Sequence, residues 1–182
     1  MKIISGFLKG RNIPGYDIEG TRPTMDRVRE SLFAIIQNNI KDKKVLDLFS
    51  GCATLGLEAI SNGCNICYFN DINKLCTNNL KKITKEFNIE DKVIITNFDY
   101  KKALRYYKEK NIKFDLIFLD PPYSMECINY VINYIIDNSL LNQEGLIICE
   151  ISHNYLNNFE TIKLIKEKKY GNKYIYIYKR TL

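Results

Sequence analysis

The chain is poor in histidine: His153 is the only one among 182 residues, and it belongs to no motif that would make it a base. Long apolar runs are also missing. Stretches such as Leu116-Ile117-Phe118-Leu119 fall far short of the roughly 18 to 20 residues needed to cross a bilayer. The start, Met1-Lys2-Ile3-Ile4-Ser5-Gly6, lacks both an extended apolar core and an Arg/Ser-rich amphipathic leader, so no export signal is expected. Six cysteines are scattered through apolar stretches, the pattern of buried reduced thiols in a cytoplasmic protein. Cys64-x-x-Cys67 has no second Cys/His pair to complete four ligands, so no metal is expected. A strong excess of one charge is absent too. Lys and Arg number 27 against 21 Asp and Glu, a net +6 that suits a polyanionic partner but decides little. Abundant Asn, Ile, Lys and Tyr fit an AT-rich coding sequence, which inflates lysine without selection for binding.

What is present is the size and composition of one globular domain, with 46% hydrophobic and 26% charged residues. From Lys43 onward, strand-like runs alternate with helical segments. The runs are Val45 to Leu48, Ile66 to Phe69, Val93 to Thr96, Leu116 to Leu119 and Leu146 to Cys149. In the segment from Asn73 to Phe87, apolar Leu75, Leu80, Ile83 and Phe87 roughly follow a helical period. This alternation predicts an α/β fold with a parallel, doubly wound sheet. The end breaks the rhythm: Thr161 to Tyr170, a Gly171-Asn172 turn and alternating Tyr174 to Tyr178 predict a closing antiparallel hairpin. In that departure the pattern resembles the class I methyltransferase architecture, which implies a Rossmann-like, mostly parallel seven-stranded sheet. Residues 1–40 are read as an extension packed on this core. It comprises a short β-hairpin (Ile3-Ile4-Ser5-Gly6 to Arg11-Asn12-Ile13-Pro14) and a helix from about Met25 to Gln37 with Thr24 as N-cap.

Small residues connect the first strand to its helix in Asp47-Leu48-Phe49-Ser50-Gly51-Cys52-Ala53-Thr54-Leu55-Gly56, a loop able to bring backbone close to a ligand. The loop lacks a full G-x-G-x-x-G, which argues against a nicotinamide dehydrogenase. Asp71 follows the second strand about 24 residues after Asp47, where an acid can accept hydrogen bonds from a ribose diol. Asp99, after the third strand, is placed to bond an adenine amino group while Phe98 packs beside the ring. Three such signals at successive strand ends face one sheet edge, where open α/β folds bind ligands. The expected ligand is a nucleoside-containing cofactor. After the fourth strand comes Asp120-Pro121-Pro122-Tyr123. Prolines fix φ and carry no N–H, so the Asp120 carboxylate and Pro121 carbonyl can converge as acceptors on one amino group, with Tyr123 stacking on its base.

Asp-Pro-Pro-Tyr at this place resembles the motif of amino-directed nucleic-acid methyltransferases that use S-adenosylmethionine. Together with Thr21-Arg22-Pro23-Thr24-Met25-Asp26-Arg27-Val28-Arg29-Glu30-Ser31-Leu32-Phe33 and Leu55-Gly56-Leu57-Glu58-Ala59, it looks like the RsmD family. That family methylates the N2 amine of one guanine in 16S ribosomal RNA. The resemblance runs from Ile3 through Ile147 and implies roles for individual residues. Asp120, Pro121, Pro122 and Tyr123 are the expected catalytic group. Thr24, Asp47, Phe49, Gly51, Asp71, Ile72, Phe98 and Asp99 are expected at the cofactor. Independently of the resemblance, Arg11, Arg22, Arg27 and Arg29 cluster with Lys2 and Lys9 in the N-terminal portion, and this basic group is expected on RNA phosphates near the pocket mouth. The implied partner is ribosomal RNA in the small subunit, met by a monomer, with no membrane involved. Two positions depart from the family: Ala53 replaces a usual glycine, and Asn73 stands where an acid is common. Weaker or reshaped cofactor contacts are expected from them. An adenine-N6 or other nucleic-acid amine methyltransferase, and a non-catalytic RNA-binding assembly factor, remain as alternatives.

Overall fold

A computed structural model describes residues 1–15, 26–122, 127–151 and 159–181. Its elements run α1 (Asp26–Ile36), β1 (Lys44–Asp47), α2 (Thr54–Ser61), β2 (Ile66–Asn70), α3 (Lys74–Phe87), β3 (Val93–Thr96) and α4 (Tyr100–Glu109). They continue with β4 (Phe114–Leu119), α5 (Ile128–Asp137), β5 (Leu141–Ile151), β6 (Ile162–Tyr170) and β7 (Lys173–Arg180). The strands form one sheet of order β3-β2-β1-β4-β5-β7-β6. The first five are parallel, and β7 enters antiparallel between β5 and β6. This is the doubly wound sheet with a closing hairpin that the strand pattern predicts. No helix among the described residues is long and apolar enough to cross a membrane.

Side-chain alternation divides the core into two layers. Val45, Phe69, Phe118 and Ile148 face α1, α2 and α3, whereas Leu46, Tyr68, Ile117 and Cys149 face α4 and α5. Both faces are covered, so the central strands are apolar almost throughout. The six cysteines are buried and form no disulfide, and Cys64, Cys67, Cys127 and Cys149 pack within these layers. Burial pushes the Cys64 thiol up to about 12, a low-reactivity state that suits packing. Gly56 lets α2 lie directly on β2, since a Cβ there would come 2.1 Å from the Phe69 ring.

The short N-terminal hairpin read from the sequence is present and is anchored on α2. Ile3 N–H donates to the Arg11 carbonyl at 3.0 Å, Gly10 N–H to the Ile3 carbonyl at 2.9 Å and Ile13 N–H to the Met1 carbonyl at 2.7 Å, around a bridge between Lys2 and Asn12. Further backbone donors of the segment turn to α2. The Ile4 N–H donates to Glu58 Oε1 at 2.6 Å, Leu8 N–H to Ser61 Oγ at 2.9 Å and Phe7 N–H to the Ser61 carbonyl at 2.9 Å. Gly6, at φ +76°, permits this approach because a Cβ there would overlap the Ser61 carbonyl. Arg29 closes the clamp from α1. It is wholly buried, pairs with Glu58 at 3.2 Å and donates to the Lys2 carbonyl at 2.5 Å. The expectation of an RNA contact for Arg29 is therefore corrected: its guanidinium ties the extension to the core and has no path to a phosphate.

Candidate active site

Parallel strands place the turns after β1 to β4 along one edge of the sheet, and these turns line a single cleft of about 500 Å³. The cleft gathers Asp47, Phe49, Gly51, Asp71, Ile72, Phe98, Asp99, Asp120, Pro121 and Pro122, ten of the residues singled out in the sequence. Thr24, Arg22 and Tyr123 lie outside the described residues. Arg27 is exposed on the first turn of α1. Arg11 is exposed as well, but its guanidinium lies 5.1 Å from the Phe87 ring centroid, at the end of α3 away from the cleft. With α3 rising about 1.5 Å per residue, that end is roughly 20 Å from the helix's start. Arg11 is thus not brought to the pocket mouth.

Asp71 organises the first half of the cleft. Its Oδ2 accepts from Gly51 N–H at 2.7 Å and its Oδ1 from Asn73 N–H at 2.8 Å, joining the loops after β1 and β2. Each carboxylate oxygen has a further acceptor site, so the group can still receive hydroxyl protons from a ribose. Asn73 caps α3 by accepting from Leu75 N–H at 2.9 Å, a task Asn and Asp perform equally well. Asp99 caps α4 in the same manner, accepting from Lys101 N–H at 2.9 Å while remaining exposed at the cleft. Ile72 is 69% exposed although strongly apolar. With half-buried Phe98 on the same cleft wall, it offers the apolar surface that a flat ring requires.

Asp47 is nearly inaccessible and accepts from Gly56 N–H at 3.1 Å. Desolvation, reinforced by the nearby charges of Asp120 and Asp71, pushes its carboxyl up to about 7. A buried acid flanked by two further carboxylates favours a cationic ligand. Next to Asp120, the two prolines supply no N–H, so nothing on their own backbone competes for its carboxylate.

Ala53 adopts φ +61° and ψ +21° at the start of α2, a left-handed conformation in which glycine is unstrained. Ala53→Gly is expected to stabilise the protein by up to about 1 kcal/mol, the relieved strain exceeding the added chain entropy. Thermal unfolding checks this; a lower melting temperature would show that the buried methyl contributes more than its strain costs.

Two cleft-shaping residues escape a motif search. Asn70, buried at the end of β2, donates to the carbonyls of Leu48 and Phe98 at 3.3 and 3.0 Å and accepts from Phe98 N–H at 3.2 Å. It braces three consecutive turns, and its signal was a polar residue closing the apolar run Tyr68-Phe69. Lys173, the first residue of β7, enters the cleft wall while paired with Glu150 of β5. Only strand pairing brings it there, because β7 lies beside β5 and two strands from Asp120.

The family model described as Conserved hypothetical protein 95 matches residues 1–179. Ribosomal RNA small subunit methyltransferase D of Haemophilus influenzae is 33% identical over 176 residues, covering 94% of this chain and 89% of that protein. The solved structure of the Escherichia coli protein yhhF, described as a methyltransferase, superposes with a TM-score of 0.88 at 30% identity and covers 100% of this chain and 98% of that one. An RNA methyltransferase from Salinibacter ruber, solved with S-adenosyl-L-homocysteine, shares the fold at a TM-score of 0.67 and 13% identity, over 88% of this chain and 94% of its own. The chain belongs to the Conserved hypothetical protein 95 family, the RsmD family of ribosomal RNA small subunit methyltransferase D.

Proposed function

We propose that this protein transfers a methyl group from S-adenosylmethionine to the exocyclic N2 amine of a guanine in 16S ribosomal RNA of the small subunit. The observation that carries this reading is one cleft holding Asp71, Ile72, Phe98 and Asp99 at one end and Asp120-Pro121 at the other, with Asp47 and Gly51 between them in chain topology. The donor set suits this cofactor. Asp71 can take the ribose hydroxyls, Ile72 and Phe98 the faces of the adenine and Asp99 its amino group, while Asp47 and the Gly51 loop meet the cationic methionine portion. When bound, the cofactor supplies an activated methyl on a sulfonium, so the protein needs to orient a nucleophile more than to generate a strong base.

Asp120 and the Pro121 carbonyl perform that orientation. An exocyclic amine has two N–H donors, and two fixed acceptors hold them so that the nitrogen lone pair is turned toward the methyl. Proton loss from the methylated amine goes to Asp120 or to water. Tyr123 stacks on the base. A guanine held in a helix must leave its stack to reach these groups, and an aromatic partner offsets part of that cost. Arg22 and Arg27 serve the RNA backbone, Thr24 serves the cofactor, and the protein acts as a monomer in the cytoplasm.

The test is transfer of labelled methyl from S-adenosylmethionine to small ribosomal subunits lacking the modification, followed by nucleoside digestion. N2-methylguanosine is the expected product. Label in another nucleoside, or cofactor binding with no label in RNA, would overturn the assignment.

The buried acid adds a pH dependence. A carboxyl whose folded value lies near 7, above its unfolded value of 3.8, contributes stability below about pH 4 that is lost as pH rises through 7. A cationic ligand favours the ionised form, so cofactor affinity is expected to rise between about pH 6 and 8. Calorimetric titration across that range checks it, and Asp47→Asn should flatten both trends. An equal slope in the variant would assign the titration elsewhere.

A further inference from the structure

An aromatic ladder leads out of the cleft onto the face formed by α4 and α5. Phe49 and Tyr100, both on the cleft wall, have ring centroids 5.7 Å apart. Tyr100 meets Tyr130 at 6.2 Å, and Tyr130 meets Tyr134 at 6.1 Å. The core face of α5 is Ile128, Val131, Ile132 and Ile135, so Tyr130 and Tyr134, four residues apart, form a separate ridge. Tyr130 is 46% exposed, a large aromatic surface left in solvent immediately beside the cleft.

Cations accompany these rings. Lys101 Nζ lies 5.8 Å from the Tyr100 centroid and 5.3 Å from that of Tyr130, and Lys102 Nζ lies 4.5 Å from that of Phe98. Arg105 and Lys108 are also exposed on α4, where Glu109 is the only acid. Rings spaced at about 6 Å and interleaved with cations match the chemistry of unpaired nucleic acid, in which bases stack on aromatics while phosphates meet lysine and arginine. A folded protein partner would more often meet an apolar centre with little charge in it.

We infer that Tyr130, with Tyr134 and Lys101, forms a stacking track for unpaired RNA nucleotides flanking the base presented to Asp120. This rests on the proposed RNA-methylating function, since continuity with the cleft makes the flanking strand its occupant. Because every base has a π-face, the track tolerates sequence and contributes reach instead of base choice.

The test pairs two readouts. The first is anisotropy of a labelled, unpaired decamer RNA with wild type, Tyr130→Ala, Tyr130→Phe and Lys101→Ala. The second is methyl transfer to small subunits by the same proteins. Tyr130→Ala is expected to weaken decamer binding about tenfold, with Tyr130→Phe near wild type. Lys101→Ala should reduce the salt slope of binding by about 0.7, the value for one phosphate contact on a single strand. In methyl transfer, Tyr130→Ala should raise KM for the subunit and leave kcat and cofactor affinity unchanged. Unchanged decamer binding and unchanged KM in Tyr130→Ala would overturn the track even if methylation proceeds. Conversely, decamer binding lost in Tyr130→Ala while wild type methylates no RNA would sustain the track and reject the proposed function.

Discussion

Asp120→Ala is expected to lower methyl transfer by on the order of a hundredfold or more while leaving cofactor binding intact. The expected loss corresponds to about 2.7 kcal/mol or more of transition-state stabilisation. Asp120 lies at the end of β4, in the centre of the sheet and on the cleft wall, and in the proposed mechanism it is one of the two acceptors that align the amine. Its loss leaves the Pro121 carbonyl to hold the base alone, so alignment falls although the cofactor end keeps Asp71, Ile72 and Phe98. The charge of Asp120 is also one of those holding Asp47 up, so the midpoint for Asp47 should move to lower pH in this variant. Single-turnover rates and calorimetric cofactor titration measure the two effects separately. Near-normal turnover would remove Asp120 from the mechanism, and loss of cofactor binding would recast it as a cofactor residue.

Glu58→Leu is expected to destabilise the protein by about 3 kcal/mol, because it removes the buried counter-charge of Arg29 and leaves the guanidinium only the exposed carboxylate of Asp26. The Ile4 N–H loses its acceptor at the same time. Ser61 also holds this segment, but Glu58 is where α1, α2 and the N-terminal hairpin converge. Combining Glu58→Leu with Arg29→Met should recover part of the loss, since no buried charge then remains unpaired. Denaturant unfolding of the two single variants and the pair forms the required cycle. Independent, additive effects would show that the two side chains do not act as one unit. Burial of this pair also explains why an arginine within an RNA-methyltransferase motif contributes to folding.

The strand runs, the terminal hairpin and the four acidic turns were legible because each depends on local periodicity or on a short motif. Asp120 follows its apolar run directly and Asp71 and Asp99 come within three residues of theirs, and parallel strands necessarily deliver such residues to one edge. Long-range partners were not legible. Arg29 resembled the neighbouring arginines in the chain, and only the approach of α2 made it internal. Arg11 likewise looked like one of a basic group until its hairpin folded toward the far end of α3. Ala53 was visible as a departure from the family, but its left-handed φ emerges only from the turn that starts α2.

The sequence by itself determined the doubly wound sheet, its closing hairpin and the identity of the cleft acids, since residue order and hydrophobic period suffice to assign them. Tertiary structure alone decided which charges face solvent and which become internal struts, that Asn70 ties three turns together, and that Lys173 joins the cleft from the last strand. It also decided that aromatics from β1's loop, α4 and α5 form one line. Those relations join residues far apart in the chain, and their energies depend on burial and mutual distance, neither of which a one-dimensional pattern contains.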